Sequence, residues 1–189
     1  NGTKINDIFE IVNKVRKANN KIPIILMGYY NSIFNIGIDN FTTKCAEVGV
    51  DGLIIVDLQS EEDSELFIKT KEKNIDLIRL ITPTTDENRL NTILHNASGF
   101  LYYVTITGIT GQNSANIELL KKSIHKIKSS TKLPIVAGFG IKNRKDVEQI
   151  SAFTDGVVVG SSIVNMIKKN LHDKNKMISE IDLFTKDLK

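Results

Sequence analysis

Residues 133–164 read LPIVAGFGIKNRKDVEQISAFTDGVVVGSSIV, and this stretch decides the fold. Leu133 to Ala137 is a short apolar run opened by Pro134, the composition of a buried strand. It ends in Gly138-Phe139-Gly140, and a polar helix with a thin apolar stripe at Val147 and Ile150 follows. Gly156 to Val159 is a second buried strand, ended by Gly160-Ser161-Ser162. Two consecutive parallel strands, each passing through a small-residue turn into a helix, set two groups of backbone N–H donors side by side. Such turns bind phosphate, because the first N–H groups of a helix have no intrahelical partner and the helix dipole favours an anion. In (β/α)8 barrels a phosphate site of this kind commonly follows strands 7 and 8. The alternative is that these glycines only make tight strand-to-helix turns.

Outward from this stretch the same alternation repeats. Thr3 to Asn19 carries Ile5, Ile8, Val12 and Val15 at helical spacing. Pro23 to Met27 is a buried strand running into a polar aromatic end, Gly28-Tyr29-Tyr30-Asn31. Ile38 to Val48 is a helix with Phe41, Cys45 and Val48 inward, and Leu53 to Val56 is a strand ending at Asp57. Glu61 to Lys73 is a charged helix whose first turn would hold Glu61, Glu62 and Asp63, the favourable sign there. Leu77 to Ile81 is a strand, Asp86 to Ala97 a short helix, and Phe100 to Ile106 a strand rich in β-branched and aromatic residues. A glycine-punctuated loop, 107–113, leads to a helix over Asn116 to Ser129. Beyond the opening stretch, Val164 to Asn170 closes the last unit, and Met177 to Leu188 forms an outer cap helix.

Six buried strands alternating with helices imply an α/β fold of repeated βα units. Their continuous apolar runs suit parallel strands covered on both faces. A dinucleotide fold fits poorly, since the third glycine of its fingerprint is replaced by Asn143 and the motif comes late. A (β/α)8 barrel needs eight strands and about 250 residues. The expectation is therefore a single barrel domain over residues 1–189 lacking its first two strands, with strands 3 to 8 present. Asn1 is not a methionine, so an N-terminal piece is expected to precede it and targeting cannot be checked.

Composition narrows the function classes. The 189 residues are 41% hydrophobic and 25% charged, ordinary for a globular chain with a real core. Net charge is +3 from 25 basic and 22 acidic residues, too evenly mixed for a nucleic-acid footprint. No apolar run is long enough to span a membrane. Cys45, the single cysteine, rules out an intrachain disulfide and a cysteine-only metal site, and its position predicts core. Lys142 and Arg144 read as solvated helix charges, and His95, His125 and His172 as solvated histidines. No metal site is expected.

Several fragments together resemble the tryptophan synthase alpha chain family, over essentially the whole chain. PIILMGYYNSIFNIGIDNF (23–41) is similar to the family's third-strand segment and GVDGLIIVDLQSEED (49–63) to its fourth. YYVTITGITG (102–111) resembles its sixth strand and mobile loop, while VAGFGI and VVVGSSIV match its phosphate turns. Two positions depart from the family pattern: Ser32 and Gln59 stand where relatives commonly have proline.

The resemblance implies a lyase: retro-aldol cleavage of indole-3-glycerol phosphate to indole and glyceraldehyde 3-phosphate, within tryptophan biosynthesis in the cytoplasm. It implies no cofactor in this subunit, and a beta chain partner carrying pyridoxal phosphate in an alpha2beta2 assembly. By position it assigns phosphate binding to Gly111, Gly138, Phe139, Gly140, Gly160 and Ser161. Tyr102, Thr110 and Tyr29 fall in the substrate pocket and lid, and Asn31 and Asp57 at the subunit interface. Gly108 and Gly111 suit a hinged lid that excludes water. Asp57 ends a strand, where a carboxylate reads as functional, but resemblance puts it in a network beside the interface rather than as the base. The proton-transfer groups, a glutamate and an aspartate, are implied in a segment before Asn1. No catalytic residue is thus expected in this chain, and the chain alone is expected to be inactive. The competing readings are another phosphosugar barrel enzyme, an isomerase or epimerase, and a non-catalytic partner of a beta-type subunit.

Overall fold

In the computed structural model, which describes residues 2–104, 114–138 and 140–188, the strands do form and pair in parallel. The side chains of 114–116 fall outside that description. The chain divides into two compact units, Asn1–Leu80 with Asp86–Phe100, and Ile81–Thr85 with Leu101–Lys189.

The first unit is built on a parallel sheet of β1 (Ile25–Gly28), β2 (Gly52–Ile55) and β3 (Asp76–Leu77). Helices α1 (Ile5–Ala18), α2 (Tyr30–Phe34), α3 (Ile38–Val48), α4 (Ser64–Glu72) and α5 (Glu87–His95) belong to it. Its core joins Phe9 and Val12 of α1 to Phe41, Cys45 and Val48 of α3 and Leu53 of β2. The Phe9 and Phe41 rings lie 5.8 Å apart, and it is Phe9, not Val15, that completes the inward stripe of α1. Cys45 is core as expected, and burial pushes its thiol pKa up to about 12.

The second unit holds β5 (Leu101–Val104), β6 (Ile135–Gly138) and β7 (Gly156–Val158), with α6 (Ser114–Ser130), α7 (Arg144–Ser151), α8 (Ser161–Lys169) and α9 (Lys174–Asp187). β4 (Arg79–Ile81) precedes β5 in a sheet of order β4-β5-β6-β7. Where one strand was expected over Leu77 to Ile81, there are thus two short ones flanking Ile78. The first half pairs with β2, and the second belongs by its hydrogen bonds to the other sheet, beside β5.

Three further expectations need correction. The polar end after β1 is not extended: Tyr30 starts one and a half turns of helix. The helix expected from Glu61 begins only at Ser64, so Asp63 is its N-cap rather than a first-turn residue, and it is 1% exposed. The last unit is helical from Ser161, three residues earlier than the apolar pattern implied, because small polar residues suit a helix start but carry no hydrophobic signal. α9 does pack on α8, where the Asn170 amide donates to Glu180 (2.8 Å).

Each unit carries the same internal tie, an aspartate at the strand start reaching back to the neighbouring strand. In the first, Asp51 Oδ2 accepts the Ile24 N–H (2.7 Å), while Asp51 N–H donates to the Ile24 carbonyl (2.9 Å). Arg16 completes it, donating to Asp51 (2.6 Å) and to the carbonyls of Gly49, Asn20 and Ile22. In the second, Asp155 Oδ2 accepts the Ile135 N–H (2.8 Å), Asp155 N–H donates to the Ile135 carbonyl (2.9 Å), and Lys128 supplies the cation at 3.1 Å. Both ties precede a glycine that opens the strand, Gly52 and Gly156. A carboxylate here satisfies an edge amide beyond the strand ladder and fixes register.

The Ile135 N–H does most to hold the Asp155 carboxyl below its ordinary 3.8, with burial opposing and Lys128 adding. The lowered value means the folded state binds that proton less readily than the unfolded chain. The tie's stabilisation is therefore present above pH 3.8 and lost as pH falls through the folded value. Asp155→Asn is expected to be less stable than the parent at neutral pH and to lose less stability between about pH 5 and about pH 3. Urea midpoints across that range check this, and parallel curves would refute it.

Candidate functional site

In the second unit the residues expected to form the site lie where β5, β6 and β7 end. Along β5 the residues alternate as their spacing requires: Leu101 and Tyr103 are buried, Tyr102 and Val104 lie on the other, half-open face. Tyr102 pairs in register with Val136, and Val104 with Gly138. The Tyr102 side chain leans along the strand toward its carboxyl end and covers Gly138. A Cβ on Gly138 would lie 2.7 Å from Tyr102 Oη and 2.8 Å from Cε2. Burial pushes the Tyr102 hydroxyl pKa up, so at neutral pH it is a phenol able to donate a hydrogen bond.

After β6 the chain turns through Gly140, whose φ of +62° suits glycine and whose Cβ direction is open space. Ile141 then plunges into the core. Its carbonyl accepts the Ser162 hydroxyl (2.6 Å), which binds the turn after β6 to the first turn of α8. The buried Asp146 carboxylate accepts the Lys142 N–H (2.8 Å), and Asn143 caps α7. α8 starts at Ser161 behind Gly160 with no side-chain cap, and the first amides of a helix have no intrahelical acceptor. Gly160 and Ser161 are exposed there. Donors at a helix start, a hydroxyl and an open glycine turn together can take a dianion without a cation. Lys142 and Arg144 are exposed as expected, and Arg144 pairs with Glu148 (3.0 Å) one turn on. Of the other expected residues, Gly111, Thr110, Gly108 and Phe139 lie outside the described residues.

In the first unit the expected interface residues gather at the ends of β1 and β2. Asp57 Oδ1 accepts the Tyr30 N–H (2.7 Å), joining the loop after β2 to the start of α2. Tyr29 (65% exposed), Asn31 and Phe34 (67%) present an aromatic and amide surface beside it. The loop from Val56 to Asp63 leads from β2 to α4. Beneath it is a cavity of about 220 Å³ lined by Asp57, Gln59, Ser60, Arg79, Arg89 and Ile93, among others.

Two guanidiniums that sequence reasoning passed over hold this loop. Arg79, inside the apolar run LIRLI, ion-pairs with Asp63, and both side chains are buried. Arg89 on α5 ion-pairs with Glu61 and donates to Gln59 (3.4 Å). Arg89 holds the Glu61 carboxyl below its ordinary value, helped by a backbone hydrogen bond. A signal existed for the first pair: an arginine within a buried strand demands a carboxylate, since an unpaired buried charge is prohibitive. Ser162 and Asp146 were equally missed, because hydrogen bonds to backbone groups leave no periodic pattern. The three histidines are exposed, and among the described residues no group of three or more His, Cys, Asp or Glu could hold a metal ion. Nor is any described helix long and apolar enough to cross a membrane.

Comparison with known proteins supplies the family. The family model for tryptophan synthase alpha chains matches residues 1–189. The chain belongs to the tryptophan synthase alpha chain family. A tryptophan synthase alpha chain of Petrotoga mobilis is 43% identical over all 189 residues, which cover 73% of that relative. Among solved structures, the tryptophan synthase alpha chain from Legionella pneumophila superposes with a TM-score of 0.88 at 33% identity, over 98% of this chain and 68% of that one. A structure describing mutual activation in the tryptophan synthase a2b2 complex of Pyrococcus furiosus gives 0.86 at 30%, over 100% and 74%. With parallel strands and this match, the fold of this alpha-chain family member is that of a partial (β/α)8 barrel.

Proposed function

We propose that the complete protein is the alpha subunit of a tryptophan synthase. It cleaves indole-3-glycerol phosphate to indole and glyceraldehyde 3-phosphate in the cytoplasm and works with a beta chain in an alpha2beta2 assembly. The alpha subunit uses no cofactor, and pyridoxal phosphate belongs to the beta chain. The observation that carries this reading is the pairing of an uncapped α8 start, with exposed Gly160 and Ser161, and the open Gly140 turn, tied together by Ser162.

Cleavage breaks the bond between the indole ring and the glycerol chain. A proton is added to the ring carbon, and one leaves the adjacent side-chain hydroxyl as it becomes the aldehyde. A general acid and a general base are needed for these transfers. The residues of this chain supply binding and orientation: α8 amides and the Ser161 hydroxyl hold the phosphate, and the Tyr102 phenol contacts the glycerol chain. In the first unit, Asn31 and the Asp57 loop face the beta chain, and Tyr29 lies beside them at the edge of the substrate pocket.

The test is indole release by the full-length gene product, with a simple sugar phosphate as the control substrate. Indole release supports the lyase, whereas turnover of the sugar phosphate alone would make the protein an isomerase or epimerase. Beta-chain binding without either activity would leave a non-catalytic partner. Ser161→Ala is expected to weaken glycerol phosphate binding by about tenfold, the loss of one hydrogen bond to a charged group. Isothermal titration measures it, and unchanged affinity would remove Ser161 from the phosphate site.

A further inference from the structure

The loop between β2 and α4 is fixed at its ends by Asp57, which accepts the Tyr30 N–H, and by the buried Asp63–Arg79 pair. Between them, Leu58 packs against the core and one turn bond joins Glu62 N–H to the Gln59 carbonyl (3.1 Å). Below lies the cavity, which Gln59 and Ser60 line together with Arg89. The Arg89 guanidinium spans the gap from α5 and gathers Glu61 and Gln59 in one fork. The exposed aromatic surface of Tyr29 and Phe34 is continuous with this loop through the Asp57–Tyr30 hydrogen bond.

We propose that Arg89 is a positioning residue for partner docking: it holds the Gln59–Glu62 segment in the shape that the beta chain meets. This rests on the reading above that the beta chain docks at the ends of β1 and β2. A loop held in its bound shape loses less freedom on association, so the fork contributes to affinity without touching the partner. The Arg89 and Glu61 side chains are about one-third and one-half exposed, so the contribution is partly screened by salt.

The experiment measures beta-chain affinity of the full-length protein by titration calorimetry at low salt and at about 1 M salt. Arg89→Leu is expected to bind roughly tenfold more weakly than wild type at low salt, the gap closing to about twofold at high salt. Arg89→Lys, a point charge without the fork, is expected to recover only part of the loss. The charge-exchanged pair Arg89→Glu with Glu61→Arg is expected to return most of it. Should Arg89→Leu fold poorly by circular dichroism, Glu61→Gln in the exposed loop gives the same readout. Wild-type affinity in Arg89→Leu and in Glu61→Gln, or a loss equal at both salts, would overturn the role of Arg89 while leaving the docking reading standing. Absence of binding by the wild-type protein would instead overturn the docking reading, and the proposal with it.

Discussion

Gly138→Ala is expected to lower kcat/KM for indole-3-glycerol phosphate about a hundredfold in the full-length enzyme, the cost of displacing a substrate-positioning group by about an ångström. The added methyl would lie 2.7 to 3.1 Å from Oη, Cε2 and Cζ of Tyr102, so the ring must shift from its place over Gly138. Its hydroxyl then no longer points where, on the proposed reading, it contacts the glycerol chain. Tyr102→Leu removes all three clashing atoms and keeps an apolar body on the strand. The double variant is therefore expected to be far less impaired than the sum of the single changes, a non-additivity that reports direct contact. Steady-state kinetics of the four proteins, with circular dichroism to confirm folding, check this. Additive losses would mean that Gly138 acts on the phosphate turn and not through Tyr102.

The second large effect concerns stability. Asp63→Asn is expected to destabilise the protein by about 3–5 kcal/mol, because the Arg79 charge would remain buried without a counter-charge. For a chain of this size that is on the order of 10 °C in Tm. Both side chains are almost fully enclosed, with Asp63 1% and Arg79 6% exposed, so solvent offers neither a substitute. Replacing both at once, Asp63→Leu with Arg79→Met, is expected to recover most of the loss and could exceed the parent, since desolvation of two charges disappears with them. Denaturant unfolding of the three variants decides it. A mild effect of Asp63→Asn alone would show that water or another group reaches Arg79.

These two cases mark where the sequence was legible. The alternation on β5, Tyr102 on one face and Tyr103 on the other, follows from strand geometry alone and was readable in advance. That Tyr102 lies over Gly138 was not, because it depends on the register between β5 and β6. The charge sequence Glu61-Glu62-Asp63 reads as the acidic first turn of a helix. In the structure Glu61 pairs with Arg89, Asp63 is buried against Arg79, and the helix begins afterwards. Local charge preference gave the right region, and a partner sixteen residues away in sequence reassigned one member of it.

What the sequence by itself determined is the run of βα units, the small-residue turns after β6 and β7, and the family. The units and turns rest on short-range facts, namely apolar periodicity, glycine conformations and helix-start chemistry, while the family rests on the resemblance of whole fragments such as PIILMGYYNSIFNIGIDNF and VAGFGI. What only the tertiary structure decided is how those turns and loops are held. Ser162 rather than Ser161 ties α8 to Ile141, Asp51 and Asp155 lock neighbouring strands, and Arg79 and Arg89 hold the loop after β2. Each is a hydrogen bond or ion pair between segments distant in sequence. Such a contact exists only once packing has brought donor and acceptor within about 3 Å, and no local pattern encodes which partner that will be.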